Sequence, residues 1–215
     1  MRTNIAIKSV KRPLAILAAF GLSAVVMAAR DKSEDLKQRI LAHPQSTNPD
    51  DYAFTRTVRT EGATPSTDEL GRYKKETSKR RVPGYHRLPK YFGAASTVST
   101  AAQGRTVFHS KSLPKDTALV FDTDVSQNTS AQVTIGEANG TAFAEQVRLS
   151  VKPMRLKLLM KLDRYESTAR YHLGPEGKPQ LVEHVADLSG SGLGQEGSAH
   201  TVATYTDYRF VGKSP

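Results

Sequence analysis

The chain has 215 residues, a formal net charge of +10 and no cysteine. That length is a prior for one domain with enough core to fold without staples. The absence of thiols excludes a disulfide framework, a thiolate nucleophile and thiolate metal sites together.

Residues 1–28 read as a cleavable signal peptide. Arg2, Lys8, Lys11 and Arg12 supply a basic start without an acid, and Pro13 to Ala29 then runs uncharged through Leu14, Ile16, Leu17, Phe20 and Leu22. Val26 and Ala28 are the small residues that a signal peptidase reads before its cut. The apolar run is shorter than the ~20 residues of a spanning helix, so cleavage is expected over a retained anchor, and the mature chain is expected in the periplasm. Losing the leader's four cations takes the net charge from +10 to +6. Much of the remaining excess gathers in Arg72, Lys74, Lys75, Lys79, Arg80 and Arg81. That patch suits anionic partners such as a membrane surface; a merely solvated helix face is the plainer reading.

Asp31 to His43 reads as a helix, with Asp31 and Glu34 as a capping pair and Leu36 and Ile40 on one face. Tyr52 to Arg59 is β-branched and aromatic and reads as a strand. Ser66 and Glu69 have capping-box spacing, which predicts a second helix from Ser66 to about Arg81, stopped by Pro83-Gly84. Tyr85 to Gly93 is a connector with aromatic anchors, and Ser96 to Gln103 is small, polar and expected to be flexible. Residues 29–103 therefore hold N-terminal helices, one strand and a flexible connector.

Residues 104–215 form an antiparallel β-sheet of the same single domain. Strands are expected at Arg105–Ser110, Ala118–Val125, Ser130–Gly136, Thr141–Lys152, Met154–Leu162, Tyr165–Leu173, Gln180–Leu188 and Ala199–Val211. Turn chemistry links them, with Asn139-Gly140 the strongest hairpin signal. No helical crossover interrupts them, so the pairing is antiparallel. The fold class is α+β: a large, half-barrel-like antiparallel sheet with one or two N-terminal helices packed on it.

Within that sheet, Met154, Leu156, Leu158, Met160 and Leu162 make an apolar stripe alternating with Arg155, Lys157 and Lys161, with Leu159 breaking the alternation. Two methionines give such a face an adaptable surface for apolar ligands; ordinary core packing is the plainer reading.

Catalytic motifs are weak. Gly192-Leu-Gly-Gln-Glu-Gly197 matches a dinucleotide fingerprint, but a strand-like segment follows it where the motif needs a helix; it reads as a glycine-rich hairpin loop. His172, His184 and His200 fall on the last three strands without metal-ligand spacing. Asp187, Ser189, Ser191 and His200 lack a nucleophile elbow. Asp163, Glu166, Glu183 and Asp187 are acids for a hydrolase by location only. No catalytic residue, metal or cofactor is assigned, and nucleic acid is not an expected partner because the basic residues lack interleaved aromatics.

The order of leader, helix, strand, second helix and many antiparallel strands resembles the periplasmic lipoprotein-carrier superfamily. The ending Thr204-Tyr-Thr-Asp-Tyr-Arg-Phe-Val-Gly-Lys-Ser-Pro215 is similar to that superfamily's terminal strand, and Gly62 to Leu70 resembles a segment of uncharacterised exported proteobacterial proteins. The resemblance implies a half-open sheet over helices, enclosing a cavity for acyl chains; this chain departs from it in having no tryptophan. The expected function is a non-catalytic binding or carrier protein for lipid or lipidated envelope partners, with the Met154–Leu162 stripe as its apolar wall. An envelope hydrolase using strand-borne carboxylates or histidines, and an envelope interaction protein, are the alternatives.

Overall fold

Apolar and polar side chains alternate through the second half of the chain, and this period of two is what a half-buried strand requires. The computed structural model describes residues 32–42, 52–70, 85–93, 96–101, 104–158 and 160–210. The leader (1–28) and the basic patch from Arg72 to Arg81 lie outside the described residues. Two compact units divide the chain at Gln38 and Arg39. Helix α1 (32–42) begins in the first, where Lys37 pairs with Glu34 at 3.7 Å, and Ile40 in the second is fully buried.

The second unit is built on a ten-stranded antiparallel sheet. Its strands are β1 (Tyr52–Thr60), β2 (Ser66–Leu70), β3 (Thr97–Thr100), β4 (Thr106–Ser110), β7 (Thr129–Ala138), β8 (Thr141–Val151), β9 (Met154–Lys157), β10 (Met160–Leu173), β11 (Pro179–Gly192) and β12 (Gln195–Phe210). The spatial order is β2-β1-β12-β11-β10-β8-β7-β4-β3, with β9 on the free flank of β10. The small strands β5 (Leu119–Val120) and β6 (Thr123–Asp124) form a separate hairpin. Asn139 and Gly140 both take positive φ at the β7–β8 turn, as a two-residue hairpin demands.

One sheet face buries Ala131, Val133, Val147, Leu149, Ala169 and Ala203, with no relative exposure above 7%. The segment Tyr85–Arg87 (a 3₁₀ turn) and helix α2 (Leu88–Tyr91) pack there. The amide of Ala144 donates to the Tyr85 hydroxyl at 3.0 Å, and the Tyr85 ring meets Tyr171 edge-on at 5.1 Å. Phe92 stacks edge-on against Phe108, also at 5.1 Å. The aromatic anchors read in this connector are therefore core residues.

Four local expectations are corrected. Ser66 does not open a helix. Ser66–Leu70 is a strand paired to β1, with Val58 opposite Ser66 and the Thr57 and Thr67 hydroxyls 3.2 Å apart. A short helix with only Leu70, Tyr73 and Thr77 for a buried side is marginal alone, whereas strand pairing satisfies its backbone at once. The supposedly flexible Ser96–Gln103 stretch contains β3, paired to β4 from Thr97–His109 to Thr100–Thr106. Ala118–Val125 folds back on itself at Phe121-Asp122. Met154–Leu162 is likewise two strands and not one: Lys157 pairs with Met160 and Met154 with Leu162, so the chain reverses at Leu158.

Candidate functional site

Strand β8 accompanies β10 only from Tyr165 to Arg170, and β1 accompanies β12 only as far as Thr60–Thr201. Beyond those limits β10, β11 and β12 continue with β9 as a four-stranded extension. Met160 pairs with Gly192 and Leu162 with Gly190; on the next strand, Gly190 pairs with Gly197 and Leu188 with Ala199. Because side chains alternate, Leu188, Gly190 and Gly192 share one face with Ala199, Gly197 and Gln195. The floor of that face is mostly backbone.

Side chains rise around this floor. Leu156 and Met160 come from the β9–β10 hairpin, Leu162 from β10 and Phe121 from the β5–β6 turn, enclosing a groove of about 360 Å³. The groove lies at the small end of the 300–1,000 Å³ typical of ligand sites. Leu162 is fully buried at its base, whereas Leu156 and Met160 are half-buried and Phe121 remains 53% exposed. Gly190 has to be glycine, since a Cβ there would sit 2.3 Å from the Lys161 carbonyl oxygen. At Gly197 a Cβ would meet nothing within 4 Å, because it would stand in the open groove.

Of the stripe expected to bind ligand, three members meet here: Leu156, Met160 and Leu162. Met154 is half-buried next to Leu162 across the hairpin. Leu158 is displaced to the turn and is 90% exposed. Phe121, Leu188 and the glycine floor were not expected. Phe121 was hidden because its segment read as a continuous strand. Gly190, Gly192 and Gly197 carried the usable signal, since glycine inside a strand marks close backbone approach or an open surface.

The opposite face of the extended sheet is polar and ion-paired. Three of the four acids considered for hydrolysis have a cationic partner: Asp163 with Lys161 at 2.6 Å, Glu166 with Arg148 at 2.8 Å and Arg164 at 3.2 Å, and Glu183 with Arg170 at 2.9 Å. Asp187 meets His200 Nδ1 at 2.7 Å across β11 and β12. Glu166 and Asp187 stand opposite each other on β10 and β11. Hydrogen bonds from Arg148 and then Arg164 hold the Glu166 carboxyl below its usual range. A general acid needs the reverse shift.

The histidines do not converge. His172 lies opposite Gln180, and His184 opposite both Ala169 and Ala203. His184 Nε2 shares a 2.8 Å hydrogen bond with the buried Ser167 hydroxyl, and burial pushes its pKa down to about 4. Among the described residues no three His, Asp or Glu side chains are placed to hold a metal ion. The Gly192–Gly197 run is a hairpin, turning at Leu193-Gly194 between Gly192 and Gln195, both turn residues with positive φ.

No family model matches the chain, and neither a curated protein nor a solved structure is significantly similar to it. The site must therefore be judged by its own chemistry. It offers aliphatic and aromatic walls, a glycine-rich floor and hydrogen-bonded acids behind it. Such a site can accommodate a narrow apolar guest.

Proposed function

We propose that the chain is an exported periplasmic binding or carrier protein for lipid or lipidated partners, acting by reversible burial and not by catalysis. The groove between Leu156, Met160, Leu162 and Phe121 carries this reading, because its volume of about 360 Å³ suits one narrow apolar chain. Each methylene buried contributes about 0.8 kcal/mol, from which the cost of association has to be met. The leader-like residues 1–28 support export, and the basic run from Arg72 to Arg81 attracts anionic headgroups.

The test is native mass spectrometry of the protein expressed with its leader, followed by displacement of a fluorescent fatty acid. Wild type is expected to retain lipid and bind the probe. Leu156→Asp places a charge on the wall and is expected to weaken probe binding at least about tenfold. Protein that carries no lipid and binds no probe, or a variant that binds as wild type does, overturns the proposal.

A further inference from the structure

Three of the most exposed large apolar side chains sit on hairpin turns at one end of the molecule. Leu158, at the β9–β10 turn, is 90% exposed; Leu193, at the β11–β12 turn, is 82% exposed; and Phe121, at the β5–β6 turn, is 53% exposed. Register puts the first two turns side by side, since Met160 pairs with both Lys157 and Gly192, and Gly192 with Gln195. Phe121 joins them because it borders the same groove as Met160, Gly192 and Gln195.

The turn chemistry makes this placement unusual. Two-residue hairpin turns favour asparagine or aspartate followed by glycine, because both central residues take positive φ. The β7–β8 turn obeys that rule with Asn139-Gly140. At the other end of the sheet, Phe121 at φ 46° and Leu193 at φ 52° occupy conformations that bulky side chains disfavour. Strain kept at an exposed site, with an apolar side chain in water as well, calls for a compensating partner.

Charge identifies that partner. Arg155 and Lys161 lie directly opposite each other on β9 and β10, with Lys157 next in line and all three exposed. Like charges directly opposite destabilise a strand pair; Asp163 offsets part of that repulsion at Lys161, and an anionic surface relieves the remainder at Arg155 and Lys157. Lys161 also pairs with Asp163, Glu196 borders the same groove, and Asp122 and Asp124 lie on the β5–β6 hairpin. Apolar tips fringed by cations match the interface of a bilayer, where acyl tails accept the tips and headgroups the cations.

We propose that the Phe121, Leu158 and Leu193 hairpin tips insert into an anionic lipid bilayer, with Arg155, Lys157 and Lys161 contacting its headgroups. Docking in this way needs no guest in the groove, so it stands or falls separately from the binding reading. It would also turn the groove mouth towards the membrane.

The chain contains no tryptophan, so Leu158→Trp and Leu193→Trp report locally on a silent background. Each is mixed with vesicles of phosphatidylcholine alone or of phosphatidylcholine with phosphatidylglycerol, and its emission is followed. The expected result is a blue shift with the anionic vesicles, and quenching by lipid brominated on its acyl chain. In co-sedimentation, Leu158→Asp with Leu193→Asp is expected to weaken binding by roughly a hundredfold, about tenfold for each leucine withdrawn from an apolar phase. Neither leucine lines the groove, so fatty-acid binding and circular dichroism should be unchanged in that variant.

Leu193→Asn separates docking from folding: it relaxes the turn, so thermal stability should rise while vesicle binding falls. Tryptophan emission unmoved by anionic vesicles overturns insertion, even if salt-sensitive adherence persists. Aspartate variants that sediment as wild type overturn it as well. A blue shift in a protein that binds no fatty acid retires the groove reading and leaves docking in place.

Discussion

Two glycines on paired strands should respond oppositely to substitution, and the contrast tests the groove directly. Gly197 faces open space, whereas Gly190 faces the backbone of β10. Leucine at Gly197 therefore projects into the groove alongside Ala199 without meeting protein atoms at its Cβ. Its presence should exclude at least two methylenes of a bound chain, worth about 1.6 kcal/mol, or roughly a fifteenfold loss of affinity. Stability should hold or rise, since glycine inside a strand costs about 0.5–1 kcal/mol. Alanine at Gly190 meets the Lys161 carbonyl oxygen at 2.3 Å, a backbone atom that cannot swing aside. Relieving that overlap means shifting β10 where its register with β11 already slips, between Leu162 and Arg164. Overpacking of this kind costs about 2 kcal/mol, lowering Tm by about 4–8 °C in a chain this size. Fatty-acid displacement and thermal melts on both variants provide the readouts. If Gly197→Leu binds the probe like wild type while remaining folded, the groove is not where the chain sits. If Gly190→Ala melts like wild type, β10 and β11 do not pair in the register that sets Leu162 opposite Gly190.

Other residues give further tests. His184 is held neutral in the fold with a pKa of about 4 against an ordinary 6.5. The unfolded chain therefore takes up its proton first. The associated stability is complete above about pH 6.5 and drains as the pH falls towards 4. Between pH 7.5 and 5.0, while ordinary carboxylates remain ionised, urea unfolding should show a loss of about 2 kcal/mol that His184→Gln removes. A variant retaining the full slope assigns it to other groups. Tyr85→Phe leaves the buried Ala144 amide without its hydroxyl acceptor and should cost about 1–3 kcal/mol in chemical denaturation. Asp187→Asn, by contrast, alters an exposed cross-strand pair and should change stability by less than about 1 kcal/mol. It should also leave probe binding intact, and a variant that loses binding would bring the polar face into the site.

The antiparallel sheet was legible in the sequence because two signals agreed along most of it. The period-two pattern gave β7, β8, β11 and β12, and Asn139-Gly140 fixed the turn joining the first two. The aromatic anchors of the Tyr85–Gly93 connector were legible as well, though not that Tyr85 would reach the Ala144 amide. Legibility failed where one local pattern serves two structures. Ser66 and Glu69 fit a capping box, yet the same residues make an acceptable edge strand, and pairing with β1 decided between them.

The apolar stripe shows the division most clearly. Alternation from Met154 to Leu162 determined that one face would be greasy and the other basic. The break in alternation at Leu159 marked an irregularity there, but it could not determine whether the run was one strand or two. The reversal has no Asn-Gly signal because Leu158 holds the turn. Only the pairing of β10 with β9 on one side and β11 on the other settled it. Composition and periodicity thus determined the kinds of surface this chain possesses. Tertiary structure decided which side chains meet, because long-range strand pairing can override the weak preferences of a single turn.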